Sequence, residues 1–523
     1  MWDFFKGRKS ESELPLLSQH NYEEGSSSSS TQSNQHFQPK TNNGKKILLV
    51  TEAKRPHYKF FHLVVVKYNK NVVLNPPLEG VHMIEVLFEE DEEYSKVLNA
   101  GKSEPDWEVK DKKDEHYFLK LLGFHMYVAY KAIIENPKVK IYGIPQRIFD
   151  WLKIMGQQFV LGIAEFSYSI GAGAFPLFEE IGLKKYIATS STIPLPIHLH
   201  FLGQEHYYSM PVEEMPKMWD LLRKSKYYLI NVHPLGQFPF PNIPKRIVNI
   251  GGIEIEIEGI LNEIEEEKRL KGKEKTNPID YVFEWIKETD CFVLFYMDKN
   301  SNFDGFTQKH FTKLLDIFSK YDNKCRFVVQ LIGVYHLLGE IKKDISLVWR
   351  KNEHILKNIY LYPAHTVNLH KFLSQKNIRG FITTGDQKSF NHALYAGVPL
   401  ILIPFTFEEK FNAKVAEYMG VGINFDHTKF LSEFTFAVAK LMREDYYQPN
   451  TFTENAIKVK EAIHQFTKRQ ITTFLEIVKK AIEGKDEEEP FPEMPTKFKE
   501  IGHDGGIKPF SVVLEEFVNS KQN

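Results

Sequence analysis

The sequence predicts an α/β protein with two parallel-sheet domains, and three observations carry that prediction. Short, almost wholly apolar runs alternate with helix-length amphipathic stretches along most of the chain, the pattern of strands buried on both faces and joined by helices. The alternation falls into two blocks, 46–240 and 279–445, separated by a Pro-rich and then charged passage. The length, 523 residues, implies two or three domains at about 100 to 200 residues each.

In chain order, residues 1–45 hold the serine run Ser26–Ser30 among Gln, Asn, Glu and Lys. They offer too little apolar area to offset the entropy of ordering and are expected to be a disordered tail. Ile47–Thr51 is a short apolar run after a Gly-Lys-Lys entry, and similar runs follow at 159–164, 186–189 and 228–231; each reads as a buried parallel strand. The passage 241–278 is expected to be a linker. It contains Gly251, Gly252 and a stretch, Glu254–Lys275, whose acidic start and basic end suit a solvated helix by the dipole rule. Strand-like runs resume at 291–296, 326–330, 380–383 and 399–404, with helical patterns at 306–321 and 389–396. Residues 446–485 are expected to form helices packing back on the domains. The stretch 486–523, opened by three consecutive glutamates and three prolines, is expected to be a loosely attached tail. Two open α/β domains place a ligand in the cleft between them, at the carboxyl ends of the strands.

Composition narrows the function classes. Lys plus Arg is 67 against 68 for Asp plus Glu, a formal net charge of −1, so no whole-molecule field exists to capture nucleic acid, and any phosphate site must be local. Two cysteines, Cys291 and Cys325, cannot build a disulfide framework, which points to an intracellular chain or one indifferent to redox compartment. The longest apolar stretch, Phe327–Leu338, is shorter than the roughly 18 residues needed to span a bilayer, and the N-terminus lacks the pattern of a secretory signal.

The most informative segment runs from Phe381 to Ala413: strand, Thr384-Gly385-Asp386 turn, helix, Gly397-Val398-Pro399 break, strand to Pro404, then Glu408-Glu409 and Asn412 before another helix. It resembles the donor-binding signature of the UDP-glycosyltransferase family, in its glucuronosyltransferase-like, nematode-type branch. The resemblance extends over most of residues 46–485 and rests most firmly on Ala393, Gly397, Val398, Pro399, Pro404 and Asn412, all in register without gaps. It implies the GT-B fold, two Rossmann-like domains facing across a cleft, with 46–240 binding an acceptor and 279–445 a nucleotide sugar. The stretch after the first strand is compressed between Phe60 and Leu74, so an N-terminal half short of one βα unit is expected.

The chemistry of such a site can be stated from the residues. A helix N-terminus after a glycine turn holds a diphosphate through unpaired backbone N–H groups, a role that fits Gly385 and the amides near Ser389. The resemblance assigns donor binding to Thr384, Gly385, Lys388, Ser389, His392, Glu408 and Glu409. Several positions depart from the family pattern. Thr384-Gly385-Asp386 stands for His-Gly-Gly, His392 for the glutamate that clamps the ribose diol, Glu408-Glu409 for Asp-Gln, and Met297-Asp298-Lys299 for Phe-Gly-Ser. The aromatic platform for uracil has no counterpart near Leu361–Leu369, where Tyr362 or His365 could stack instead. Lys388, where the family commonly has Asn, could offset the added negative charge.

Transfer to a hydroxyl needs a general base near neutrality, for which histidine is suited. His57 stands at the family's catalytic histidine, and Glu165, at the end of a predicted strand, at the carboxylate that orients it. His198, His200 and His206 are spaced as a metal set could be, but read more simply as polar residues near the acceptor cleft; no metal and no cofactor are expected, the UDP-sugar being a co-substrate.

The resemblance thus implies a UDP-glycosyltransferase moving a hexose or hexuronate to a hydroxyl of a small lipophilic acceptor with inversion. The alternative is a catalytically impaired member that binds small molecules. Expected partners are a UDP-sugar and a lipophilic acceptor, with no nucleic acid; a homodimer is left open. A soluble cytoplasmic location is expected for the chain as encoded, against the endoplasmic reticulum membrane typical of this branch.

Overall fold

The computed structural model describes residues 46–52, 64–67, 82–88, 130–166, 174–191, 224–239, 244–270, 280–297, 306–330, 358–362, 367–442, 451–465, 469–484 and 508–519. The first block opens with β1 (Lys46–Glu52), β2 (Val64–Lys67) and β3 (Ile84–Leu87), followed by a hairpin of β4 (Lys138–Ile141) and β5 (Ile144–Arg147). The hairpin turns on Tyr142 and Gly143, both at positive φ, as a tight two-residue loop demands. Then come α1 (Ile148–Met155), β6 (Phe159–Glu165), α2 (Ala174–Glu180), β7 (Tyr186–Ser190), β8 (Tyr228–Ile230) and β9 (Ile247–Asn249). Seven of these strands form one parallel sheet in the order β3-β2-β1-β6-β7-β8-β9. The compressed stretch after the first strand does contain a sheet strand, β2, whose Val64 and Val66 are fully buried.

A linker helix, α3 (Ile253–Leu270), leads to the second block. This holds α4 (Asp280–Lys287), β10 (Phe292–Phe295), α5 (Gln308–Ser319), β11 (Arg326–Gln330), β12 (Ile359–Tyr362), α6 (Leu369–Leu373) and β13 (Ile378–Thr383). It continues with α7 (Gln387–Ala396), β14 (Leu400–Leu402), α8 (Phe407–Met419), β15 (Gly422–Asn424) and α9 (Phe430–Leu441). The second sheet is also parallel, ordered β12-β11-β10-β13-β14-β15. Helices α10 (Thr451–His464), α11 (Gln470–Glu483) and α12 (Phe510–Asn519) complete the described chain.

Each sheet is covered on both faces, which is why its strands are apolar in consecutive positions. Phe327, Ile382 and Ile401 pack with α5 and α9 on one side of the second sheet, while Phe292, Phe381 and Leu400 pack with α4, α7 and α8 on the other. Helix α11 returns from the second block to the first sheet, placing Phe474, Ile477, Val478 and Ala481 on Leu161, Ile163, Ile187 and Leu229.

Strand order reverses between β1 and β6 in the first sheet and between β10 and β13 in the second. Such reversals open a crevice at the carboxyl ends of the strands, and Glu165 and Gly385 lie just there. The blocks meet where the linker starts. A Cβ on Gly251 would stand 2.0 Å from the His233 amide nitrogen, and one on Gly252 (φ +93°) would strike the Tyr395 ring. Two glycines are therefore what lets this backbone pass so closely, and the Tyr395 hydroxyl donates to the Gly251 carbonyl at 2.9 Å.

Three expectations are corrected. The charged linker helix is not merely solvated: Glu254, Glu258 and Asn262, spaced i, i+4, i+8 on one face, all hydrogen-bond to the second block. The stretch expected as a loose tail contains α12, whose Phe510, Leu514, Phe517 and Val518 pack against the second block's core. Cys291 and Cys325, at the entries to the adjacent strands β10 and β11, are joined by a disulfide. A bond of that kind persists in oxidising surroundings, so the cysteine count is no mark of an intracellular chain.

Candidate functional site

The site is built around the turn from β13 into α7. Strand β13 ends in buried Thr383, and Gly385 takes φ +93°, with the position of an added Cβ only 2.7 Å from Leu402 Cδ2. Asp386 is the N-cap of α7, its Oδ1 accepting from the Ser389 amide at 3.0 Å, the role for which a short carboxylate is favoured. Gly397, in the left-handed conformation, closes the helix, and Pro399 precedes β14, so the Gly-Val-Pro break of the sequence is a helix stop followed by a strand start.

The structure places Thr384, Gly385, Lys388, Ser389, His392, Glu408 and Glu409 around this turn, but most already have partners. Glu408 Oε1 accepts from the Gln387 amide at 2.8 Å. Two of the N-terminal amides of α7 are thus occupied by carboxylates, where the sequence reading offered them to a diphosphate. Glu409 accepts from the Phe405 and Thr406 amides at 2.9 and 2.8 Å and completes a capping box with Thr406. It is nearly buried and serves α8 as a cap through Oε2. Lys388 Nζ donates to Glu258 Oε1 at 2.7 Å, and His392 Nε2 lies 2.9 Å from Glu258 Oε2. Burial opposes ionisation of Glu258, but the hydrogen bonds and charges of His392 and Lys388 outweigh it and pull the carboxyl down to about 2.

Against these filled positions stand three empty ones. The hydroxyls of Thr383, Thr384 and Ser389 are buried and have no hydrogen-bond partner among the described residues. Buried hydroxyls are ordinarily paired, and each orphan costs about 1–3 kcal/mol. Clustered round a glycine turn at a helix N-terminus, they are donors suited to oxyanion acceptors.

On the acceptor side, Glu165 ends β6 and accepts from both the hydroxyl and the amide of Ser191. His57, His198, His200, His206, Asp298 and His365 lie outside the described residues; Tyr362, offered as a stacking platform, is buried at the end of β12. From Ser191 a continuous chain of polar groups crosses to the donor helix. Asn231 Nδ2 donates to the Ser191 carbonyl at 3.4 Å. Asn391 Nδ2, on α7, lies 3.1 Å from the Asn231 carbonyl, 3.2 Å from Asn231 Oδ1 and 3.1 Å from Glu254 Oε1. Gln387 Nε2 donates to Asn391 Oδ1, and Asn412 Nδ2 to Gln387 Oε1 and the Gly385 carbonyl. Asn391 and Asn412 are fully buried, so the network fixes how α7 sits against the first sheet.

Sequence reasoning missed Asn231, Glu254, Glu258 and Asn391. The spacing of Glu254, Glu258 and Asn262 was a readable stripe; nothing in the sequence said what it faces.

Two open parallel sheets, each with a switch point, joined by a linker helix and a returning C-terminal helix, define the two-domain GT-B class. Solved structures agree at the level of fold. The rice protein Os79, in complex with UDP, has a TM-score of 0.52 at 14% identity over 83% of this chain and 100% of its own. A UDP-glucosyltransferase from Polygonum tinctorium has 0.50 at 11% over 85% and 100%. Residues 347–466 match the family described as UDP-glucoronosyl and UDP-glucosyl transferase. The ugt-47 proteins of Caenorhabditis elegans and Caenorhabditis briggsae, named as UDP-glucuronosyltransferases, are each 24% identical over 48% of this chain. The matched region spans about two fifths of those relatives, 40% and 41% of their length. The likeness to the UDP-glycosyltransferase family thus rests on residues 347–466 and on divergent relatives matched over about half of the chain.

Proposed function

We propose that the chain is a UDP-sugar-dependent glycosyltransferase, moving a hexose or hexuronate to a hydroxyl of a small lipophilic acceptor with inversion at the anomeric carbon. The observation that carries this reading is the trio of orphaned buried hydroxyls, Thr383, Thr384 and Ser389, round Gly385 at the second sheet's switch point. Nothing among the described residues satisfies them, and a diphosphate would supply the missing acceptors. In this reading His57 takes the acceptor's proton, and Glu165, from the opposite switch point, orients the imidazole. As the acceptor oxygen attacks, the bond to UDP breaks and the leaving diphosphate gains negative charge, which the hydroxyls and the α7 dipole stabilise. The ligand named with Os79, UDP, is the natural first probe.

A specific observation supports a second reading. Asp386, Glu408 and Glu258 place three carboxylates on the first turns of α7, and a nucleotide must compete with them. A member that has given up donor binding would keep the fold and an acceptor cleft. Isothermal titration with UDP, together with transfer assays over a panel of UDP-sugars, separates the two. Micromolar binding with turnover is expected on the first reading; no binding and no transfer with any donor would refute it and leave the second.

A further inference from the structure

Lys388 and His392 stand one turn apart on the same face of α7, and between them they hold one carboxylate, an oxygen each: Glu258 Oε1 at 2.7 Å from Lys388 Nζ and Oε2 at 2.9 Å from His392 Nε2. Nδ1 of His392 lies 2.8 Å from the Lys388 carbonyl. Both ring nitrogens thus lie within hydrogen-bonding distance of an oxygen acceptor. The pair is graded in exposure. The His392 side chain is 1% exposed, that of Glu258 20% and that of Lys388 37%, so the carboxylate is fixed from the inside and reachable from the outside. A third feature lies on the same turn: the Ser389 hydroxyl, buried and without a partner among the described residues.

The carboxylate does not belong to the second sheet's domain. It is the middle rung of a three-rung contact along α3, flanked by Glu254 on Asn391 and by Asn262 on Asn368 and His370. The outer rungs also tie the helix to the second block.

We propose that Lys388 and His392 form an oxyanion-binding site on α7 whose resident occupant is the Glu258 carboxylate of the linker helix, and that an incoming oxyanion, phosphate or carboxylate, binds by displacing it. The proposal rests on the glycosyltransferase reading in that Lys388 and His392 belong to the donor side named there; what it adds is the internal carboxylate that occupies them. A lysine and an imidazole that already hold two oxygens of one carboxylate offer the donors a phosphoryl or hexuronate oxygen pair requires. Occupation by an internal anion raises the ligand concentration needed, because affinity falls by the fraction of molecules in which the site is vacant.

The test is titration of UDP, inorganic pyrophosphate and glucuronate into the full chain and its Glu258→Gln, Glu254→Gln and Glu258→Gln/Lys388→Met variants, with thermal unfolding as a folding control. Glu258→Gln keeps the side chain's shape and removes its charge; tightening by at least tenfold is expected for one class of anion. A gain with UDP and pyrophosphate identifies a phosphate site, and a gain with glucuronate alone a carboxylate site. The added Lys388→Met is expected to abolish the gain. Glu254→Gln loosens an outer rung while leaving the site filled and is expected to give none. No gain in Glu258→Gln with any of the three anions overturns the proposal, as does an equal gain in Glu254→Gln, which would assign the effect to helix detachment. Binding of UDP to the unsubstituted chain without a gain in Glu258→Gln sinks this proposal alone. Binding seen only in Glu258→Gln upholds it while counting against donor use by the native chain.

Discussion

Replacing Asp386 by Asn removes one negative charge from the N-terminus of α7 and changes almost nothing else. The Asp386 carboxylate accepts from the Ser389 amide at 3.0 Å, and asparagine caps helices about as well as aspartate, so the turn should keep its shape at a cost of about 0.3–1 kcal/mol in lost dipole interaction. A phosphoryl oxygen seated on the same first turn would lie on the order of 4 Å from that carboxylate, where two unit charges repel by about 4 kcal/mol at an effective dielectric near 20. Water at the mouth of the site and movement of the side chain will relieve part of this. If about a quarter to a half survives, the gain is 1–2 kcal/mol, or about 5- to 30-fold in the Kd for UDP. Titration calorimetry at low ionic strength reads it directly. The advantage should shrink as salt rises, because the Debye length falls to about 10 Å at 0.1 M. Adding Glu408→Gln, which frees the Gln387 amide of its carboxylate, should increase the gain. A Kd within twofold of the parent in both variants, or weaker, would show that the carboxylates on α7 do not control anion binding and would refute the electrostatic reasoning.

Two other outcomes follow from the same geometry. The Cys291–Cys325 bond closes a loop across 34 residues, worth about 4 kcal/mol by chain entropy; denaturant unfolding with and without reductant should show a loss of that order, and the Cys291→Ala/Cys325→Ala double variant should be indifferent to reductant. Glu258 has a folded-state pKa near 2, below the ordinary 4.5, so its contribution is fully present above about pH 4.5 and lost as pH falls toward 2. That contribution is at most roughly 3 kcal/mol, and the stability gap between the parent and Glu258→Gln should therefore narrow across that window; a gap constant with pH would contradict the ion-pair assignment.

The fold was legible because a parallel sheet writes its strands as consecutive apolar residues and its connections as amphipathic helices, both local patterns. The segment 381–413 was legible for a similar reason. A left-handed glycine, a capping aspartate, a helix-stopping Gly397 and a capping box at Thr406 are short-range devices, each decided by neighbours within a few residues. Even the role of Glu409 as a cap could be read from Thr406 three positions before it.

What the sequence by itself determined is therefore the pair of sheets, the turn that presents α7, and the family that turn resembles. What only the tertiary structure decided is which charges meet there. Glu258 is 130 residues from Lys388 and 134 from His392, Asn231 is 160 from Asn391, and the bonded cysteines lie 34 apart on neighbouring strands. Electrostatic and hydrogen-bond partners are chosen by proximity in space, and proximity across two domains depends on how the linker helix docks. A stripe of Glu254, Glu258 and Asn262 facing water and the same stripe filling an anion site are identical as sequence; they differ only in what the fold places opposite them.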